Sequence, residues 1–303
     1  MKWIDMHCDT LSELARLRKA GEGQGQTLMR NNLCVDIERL RQEDSAAQFF
    51  ACYVNIREYE WDWDRAYHAV SEMAEMAQGE LGGVPAGILT VEEGGVLNGD
   101  IGRLDELYEM GIRLVTLTWN YENCIGSPNS RDRNMMERGL TGFGTETVRR
   151  MNEMGMIIDV SHLSDGGFWD CIRHSRAPVA ASHSNARGLC PHPRNLSDEM
   201  LRALGEQGGV AGLNFYSAFL KEEGRASAED IALHAKYMID KAGEDAVALG
   251  SDFDGFGAEA LPCGISGVQD IGRIWEAMKQ QGLTPGQIEK IAYKNVLRMI
   301  REV

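Results

Sequence analysis

The sequence contains no long apolar run and no recognisable export signal. None of its 303 residues belongs to a stretch approaching the ~18 consecutive apolar residues that cross a membrane. The opening segment MKWIDMHCDT carries acids at Asp5 and Asp9, whereas a signal peptide has a positively charged start followed by an apolar stretch. Neither end has a lipidation motif. We therefore expect a cytoplasmic protein that does not attach to a membrane.

Basic residues are also scarce, and the cysteines follow no regular pattern. Lys and Arg number 31 against 46 Asp and Glu, so the net charge is −15, which argues against a nucleic-acid-binding surface. The seven cysteines are irregularly spaced and never form a CxxC pair. This usage predicts reduced thiols rather than a disulfide framework or a zinc ribbon.

The sequence is rich, by contrast, in alternating strand-like and helix-like segments. Eight short apolar or β-rich runs occur: WIDMH (3–7), QFFACYVN (48–55), PAGILTVE (85–92), IRLVTLTW (112–119), MIIDVSH (156–162), PVAASH (178–183), GVAGLNF (209–215) and DAVALGSDF (245–253). Helical patterns lie between them, for example at 62–78, 142–155, 197–207 and 228–243. This alternation predicts an α/β fold, a (β/α)8 TIM barrel that spans residues 1–303 as a single domain. A doubly wound open sheet is the alternative, but its glycine-rich phosphate loop is missing after the first strand.

Polar residues with metal-binding or catalytic side chains cluster at the ends of these predicted strands. In barrel enzymes, the C-terminal ends of the strands carry the active site. The residues are His7 and Asp9 after strand one, Glu92 and Glu93 after strand three, Trp119 and Asn120 after strand four, His162 after strand five, His183 after strand six, Asn214 and Tyr216 after strand seven, and Asp252 and Asp254 after strand eight. Their joint placement predicts one site on this face of the barrel.

These residue types favour a site for two metal ions. Residues i and i+2 of a strand point to the same side, so His7 and Asp9 can bind one ion while Cys8 faces the helices. His162 and His183 can bind a second ion, and a carboxylate can bridge the two. Nitrogen and oxygen ligands suit Zn²⁺, with Mn²⁺ or Co²⁺ as alternatives, and two such ions can acidify a shared water.

Taken singly, each of these residues has a simpler interpretation. A lone histidine at a strand end is more often an ordinary hydrogen-bonded side chain, and His68, His174 and His234 lie within helical patterns. His192 lies in a loop and fits either interpretation. The motif SDFDG alone could be a turn or part of a calcium loop, and EEGG alone an ordinary turn.

The chain resembles the renal (membrane) dipeptidase family of dizinc peptidases, a branch of the amidohydrolase-like metal-dependent barrels. The resemblance runs almost end to end and rests on the segments DMHCDT, VEEGGVL, TLTWN, GMIIDVSHLSD, PVAASHSNARGLCPHPRNLSDE, GVAGLNFY and LGSDFDG. It implies two zinc ions per chain, a small dipeptide substrate and a homodimer.

The resemblance also implies a role for individual residues. It assigns His7 and Asp9 to the first zinc, Glu93 to a bridge between both ions, His162 and His183 to the second zinc, Asp252 to proton transfer, Arg194 to the substrate carboxylate, and Trp119, Asn120 and Tyr216 to substrate binding. We prefer Glu93 to Glu92 because Gly94 and Gly95 follow it directly. We prefer Asp252 to Asp254 because it directly follows the strand. Trp119 departs from the family, whose well-studied members have a histidine there near the substrate carbonyl.

The implied activity is hydrolysis of dipeptides that have a free C-terminal carboxylate, by a metal-bridged hydroxide and with tolerance of a D-residue at the C-terminal position. Arg194 has an independent physical basis here, since a planar guanidinium binds a carboxylate through two parallel hydrogen bonds. One alternative is metal-dependent hydrolysis of a related bond, in a β-lactam, a lactone or a phosphoester. Another is a barrel that binds a metal or small ligand without turnover.

Overall fold

Eight parallel strands close into a barrel in the computed structural model, which describes residues 1–81 and 86–303. The strands are β1 (Trp3–Asp5), β2 (Ser45–Tyr53), β3 (Ala86–Glu92), β4 (Ile112–Thr116), β5 (Ile157–Asp159), β6 (Ala180–Ala181), β7 (Val210–Leu213) and β8 (Val247–Leu249). They pair in chain order, and Asp5 opposite Leu249 closes the barrel. The predicted TIM barrel is thus confirmed; Pro85, the first residue of one predicted strand, lies outside the described residues.

Helices surround this barrel. They are α1 (Thr10–Lys19), α2 (Ile37–Gln42), α3 (Trp63–Glu80), α4 (Gly102–Glu109), α5 (Arg133–Met136), α6 (Gly142–Met154), α7 (Asp165–His174), α8 (Asp198–Glu206), α9 (Ser217–Leu220), α10 (Ala228–Ala242), α11 (Ile271–Gln280), α12 (Pro285–Glu289) and α13 (Asn295–Glu302), with a π-helical turn at Lys290–Lys294. Several begin at hydroxyl N-caps, as where Ser164 accepts from Gly167 N and Ser197 from Met200 N. Such caps satisfy backbone donors that a helix leaves free at its start.

The core has two layers because successive strand residues point to opposite faces. Phe49 and Ile157 pack inside the barrel, where Val296 and Met299 of α13 join them. The next residues along the same strands, such as Phe50, pack in the outer layer between strands and helices. This double burial explains the nearly continuous apolar strands of the sequence.

Several strands are shorter than the apolar runs predicted, and the difference falls at their C-terminal ends. β1 ends at Asp5, two residues before His7, and β8 ends at Leu249, three residues before Asp252. The residues beyond lie in tight loops, and His162 and Asp252 have left-handed backbones with φ of 66° and 61°. Non-glycine residues adopt this conformation at a cost, and they concentrate at functional sites.

Candidate active site

A single carboxylate, that of Glu92, lies among three histidines at the end of β3. Its Oε2 is 3.3 Å from Nε2 of His7, and its Oε1 is 3.1 Å from Nε2 of His162 and 3.5 Å from Nε2 of His183. The two Nε2 atoms of His162 and His183 are 3.0 Å apart. All four side chains are buried. The barrel therefore brings together ligand-type residues from four different strands.

Glu93 does not take the bridging position that we predicted for it. Its backbone has a φ of 112°, and its Oε1 accepts hydrogen bonds from Gly95 N at 2.9 Å and from Asn123 Nδ2 at 2.6 Å. The side chain thus points away from the histidines and under the loop after β4. The preference for Glu93 over Glu92 was wrong, because Glu92 is the residue that the strand turns toward the site.

Two further carboxylates, those of Asp9 and Asp252, lie beside His7. Asp9 Oδ2 is 3.3 Å from His7 Nε2, and Asp252 Oδ1 is 3.8 Å from the same atom. Asn214 donates to Asp252 Oδ2 at 2.9 Å and holds that carboxylate at the cavity wall. Asp254 points elsewhere: its carboxylate accepts from the Thr10 hydroxyl and from Cys34 N. The two aspartates therefore differ in position: Asp252 lies near His7, whereas Asp254 is held by Thr10 and Cys34.

Polar atoms without partners mark this cluster as suited to cations. Within the described part of the chain, both ring nitrogens of His7 and Oδ1 of Asp9 are buried and have no hydrogen-bond partner. Potential ligand atoms of His7, Glu92 and His183 lie within 4.8 Å of one another, as do those of His7, Asp9 and Asp252. Buried polar atoms are normally satisfied, so two adjacent groups of this kind fit divalent metal ions.

Burial controls the charges of the same groups. It lowers the pKa of His162 to about 4 and holds the pKa of His183 well below its usual value. Burial also raises the pKa of Asp9 and of Asp252. Glu92 differs: although burial acts against its charge, the charge of His7 holds its pKa well below the usual range. The pair His162 and His183 is therefore neutral near pH 7, the form that binds metals.

A cavity of about 920 Å³ opens above these residues. Its walls include Asp9, Tyr53, Glu92, Trp119, Asn120, His162, Tyr216 and Asp252, and it continues between α1 and α3. The ring of Trp119 packs edge-on against Tyr53 at 5.0 Å, and the ring of Tyr216 packs against Phe256 at 4.8 Å. All three predicted substrate-binding residues on the loops after β4 and β7 therefore line one cavity.

Asn120 has a second contact, which the sequence did not indicate. Its Oδ1 lies 3.2 Å from Nδ1 of His162, so this side chain orients a candidate metal ligand as well as lining the cavity. The sequence also did not point to Asp159 and Ser182, which stand behind His183. Tyr53 was missed although it ends β2 and pairs with Glu92 in the sheet, a position that the strand-end rule would have selected.

Arg194 is buried and has no carboxylate partner among residues 1–81 and 86–303. Its guanidinium donates to Ser184 Oγ and to the His183 carbonyl oxygen, each at 3.2 Å. It also lies 5.4 Å from the centre of the Phe219 ring, and Phe219 lines the cavity although Arg194 does not. A buried guanidinium without a carboxylate partner in the described chain is suited to binding an anion.

Comparison with known proteins identifies the family. The family model described as membrane dipeptidase (peptidase family M19) matches residues 56–303. The chain belongs to this family. It is a metallo-dipeptidase, an enzyme that depends on divalent metal and acts on small peptides. Among residues 1–81 and 86–303, no helix is both long and apolar enough to span a bilayer.

Two relatives are similar to this chain over most of its length, and one of them is named a dipeptidase. The dipeptidase is 37% identical over 230 residues to an uncharacterized protein from the pqqA 5′ region of Klebsiella pneumoniae, covering 73% of this chain and 83% of that protein. It is 31% identical over 299 residues to an uncharacterized dipeptidase of Schizosaccharomyces pombe, covering 87% of this chain and 71% of that one.

Solved structures share the fold, and one of them is named as a member of the same family. The metallopeptidase dipeptidase AC, of family M19, is 27% identical with a TM-score of 0.85, covering 100% of this chain and 98% of that one. A Rhodobacter sphaeroides metallopeptidase bound to a phosphinate mimic of the dipeptide L-Ala-D-Ala is 26% identical with a TM-score of 0.82, covering 100% and 99%.

Proposed function

We propose that this dipeptidase uses two zinc ions to hydrolyse dipeptides that have a free C-terminal carboxylate. The observation that carries the proposal is the carboxylate of Glu92 between Nε2 of His7 and Nε2 of His162, at 3.3 and 3.1 Å. A carboxylate with one oxygen toward His7 and the other toward His162 and His183 is suited to bridge a pair of ions.

The residues divide naturally into two sets of ligands. His7, Asp9 and Glu92 would hold one ion, and Glu92, His162 and His183 the other. Zinc suits these nitrogen and oxygen donors, with Mn²⁺ or Co²⁺ as alternatives. Bound ions would polarise the scissile carbonyl and lower the pKa of the attacking water, so that hydroxide bridging the ions is available near pH 7.

Asp252 is the residue best placed to transfer protons. It lines the cavity, and the bond from Asn214 fixes one of its oxygens while the other faces His7. Burial raises its pKa, which brings the carboxyl closer to the neutral range in which a group can both accept and release a proton. We assign to it the proton of the attacking water and its delivery to the departing amine.

Arg194 and the aromatic walls would select the substrate. The guanidinium would pair with the terminal carboxylate, while Trp119 and Tyr216 would contact the side chains on either side of the scissile bond. Tolerance of a D-residue at the C-terminal position is part of the proposal. It is supported by the Rhodobacter sphaeroides relative, whose bound phosphinate mimics L-Ala-D-Ala.

Hydrolysis of a dipeptide library tests this proposal. Metal-replete protein should cleave L–L and L–D dipeptides, and a chelator should abolish cleavage. Amidation of the C-terminus should raise KM strongly in the wild type, and much less in Arg194→Gln, whose clamp is already lost. Equal activity on free and amidated dipeptides would contradict the carboxylate clamp. The homodimer and the cytoplasmic location stay predictions.

A further inference from the structure

Asp159, at the end of β5, is a fully buried carboxylate that does not line the cavity. Its Oδ1 accepts from the backbone N–H groups of Ser161 at 3.0 Å and Ser182 at 2.8 Å. Its Oδ2 accepts from the hydroxyls of Thr116 and Ser182, both at 2.6 Å. The carboxylate therefore accepts two hydrogen bonds from Ser182, one from its backbone N–H and one from its side-chain hydroxyl.

Ser182 also contacts the neighbouring histidine. Its Oγ lies 2.7 Å from Nδ1 of His183, whose side chain is completely buried. A hydroxyl has one hydrogen, and the 2.6 Å contact to Asp159 takes it in preference to the 3.4 Å contact to Ser161 Oγ. The Ser182 oxygen is then left as an acceptor, so Nδ1 of His183 must donate and Nε2 must carry the lone pair.

The backbone of Ser182 is also tightly packed. A Cβ at Gly212 of β7, or at Gly250 directly after β8, would overlap the carbonyl oxygen of Ser182. These two glycines thus let Ser182 lie close against the neighbouring strands, and no residue larger than glycine would fit at either position. A hydroxyl held this firmly defines the direction of the hydrogen bond to His183.

We propose that Asp159, acting through Ser182, positions the ring of His183 so that its Nε2 lone pair faces the metal site. The proposal rests on the proposed function, because it concerns how a predicted zinc ligand is prepared for binding. Without the Ser182 oxygen, the neutral ring could move its hydrogen to Nε2 and donate to Glu92 instead. Partners of this kind typically change metal affinity or activity by about 10- to 100-fold.

The barrel contains its own control on the opposite side. Asp5 holds Ser251 in the same way, because its carboxylate accepts hydrogen bonds from the Ser251 backbone N at 2.7 Å and from Ser251 Oγ at 2.6 Å. Ser251 Oγ then lies 3.2 Å from the backbone oxygen of His7 and does not reach the ring. The two serines therefore differ in one respect that matters here, contact with an imidazole.

Two serine variants and one aspartate variant test the proposal. Zinc affinity is measured by chelator competition, and the tautomer of His183 by imidazole ¹⁵N shifts in the metal-free protein. Ser182→Ala should weaken zinc binding about 10- to 100-fold and remove the preference for hydrogen on Nδ1. Ser251→Ala should leave both measurements within about threefold of wild type, with melting temperatures reporting any general loss of stability.

Asp159→Asn provides a test with little change in volume. Its amide oxygen can keep the two backbone donors, which leaves the NH₂ group facing the Ser182 oxygen. The serine hydrogen must then turn to His183, so the tautomer should reverse to hydrogen on Nε2, an outcome that a purely structural role would not produce.

Three results would overturn the proposal: wild-type affinity and tautomer in Ser182→Ala, equal losses in the two serine variants, or an unchanged tautomer in Asp159→Asn. The ¹⁵N measurement needs neither metal nor substrate. A wild-type protein that ignored the substrate carboxylate would therefore contradict the proposed function while leaving this inference intact.

Discussion

His162 and His183 each have a side-chain partner at Nδ1, whereas neither nitrogen of His7 has one in the described chain, although the rings of His7 and His183 stack at 3.9 Å. We name the two groups of residues the histidine side (His162 and His183, after β5 and β6) and the acid side (His7, Asp9 and Asp252, after β1 and β8). The histidine side is arranged by the protein alone. The acid side gathers carboxylates that need positive charge, so we expect bound metal to complete its geometry.

Glu92 lies with one carboxylate oxygen near His7 and the other near His162 and His183, so removing its charge should have the largest effect. Glu92→Gln should lower kcat/KM about 1,000-fold or more, because bound ions contribute several kcal/mol to transition-state stabilisation. Glu93→Gln is the matched control and should stay within about tenfold of wild type. Steady-state kinetics at saturating zinc measures both. The reverse ranking would restore Glu93 as the bridging residue.

The contributions of the two sides to the stability of the metal-free protein should also change in opposite directions as pH rises. The pKa of His162 falls from 6.5 to about 4 on folding, so the native state binds fewer protons than the unfolded chain between these values. Its contribution to stability therefore rises with pH across that window, by about 3 kcal/mol at most. The pKa of Asp252 is raised, so its contribution falls as pH increases above 3.8.

Single variants separate these opposing contributions. Metal-free Asp252→Asn should gain stability more steeply than wild type between pH 4.5 and about 6.5, since less of the histidine contribution is then offset. His162→Gln should gain less stability with rising pH than wild type, because only the His183 contribution to the rise remains. Urea unfolding at several pH values measures the slopes, and parallel slopes in both variants would contradict the assignment of charges to the two sides.

The sequence predicted the barrel because its eight apolar runs and the helices between them are local patterns. Helices predicted at 142–155 and 228–243 were found as α6 and α10, within one residue at each end. Strand ends were predicted less well, because hydrogen bonding between strands stops where the chain turns into the site. An estimate of strand length from apolar residues does not include this loss of hydrogen bonding between strands.

The same limit explains the error at Glu93. Two adjacent glutamates at a strand end are equivalent in sequence, and only the direction of the final strand residue decides which enters the barrel. The positive φ at Glu93 then turns the next side chain under the loop to Asn123. Long-range partners such as Asp159 and Ser182 were missed for a related reason, since their relation depends on pairing between β5 and β6.

A smaller effect is expected where the cavity wall meets the histidine side. The ring of Trp119 lies 6.2 Å from that of His162 and 5.0 Å from that of Tyr53. Trp119→Ala should raise KM about 3- to 10-fold, mostly for dipeptides with large side chains, since aromatic pairs contribute about 0.5–1.5 kcal/mol beyond their area. Trp61 is exposed and packs against Tyr121, which in turn packs against Trp119, so Trp61→Ala should change KM less than threefold. Equal effects would mean that Trp119 does not contact substrate.

The smallest effect is expected at Cys8, between two residues of the acid side. Its side chain is buried in the outer layer, where the thiol donates to the Phe49 carbonyl oxygen at 3.3 Å, while His7 and Asp9 face the cavity side. Cys8→Ala should retain activity and lose about 1 kcal/mol of unfolding free energy, whereas Asp9→Ala should be inactive. Kinetics and urea unfolding measure the pair. Loss of activity in a folded Cys8→Ala protein would show that the acid side extends to the thiol.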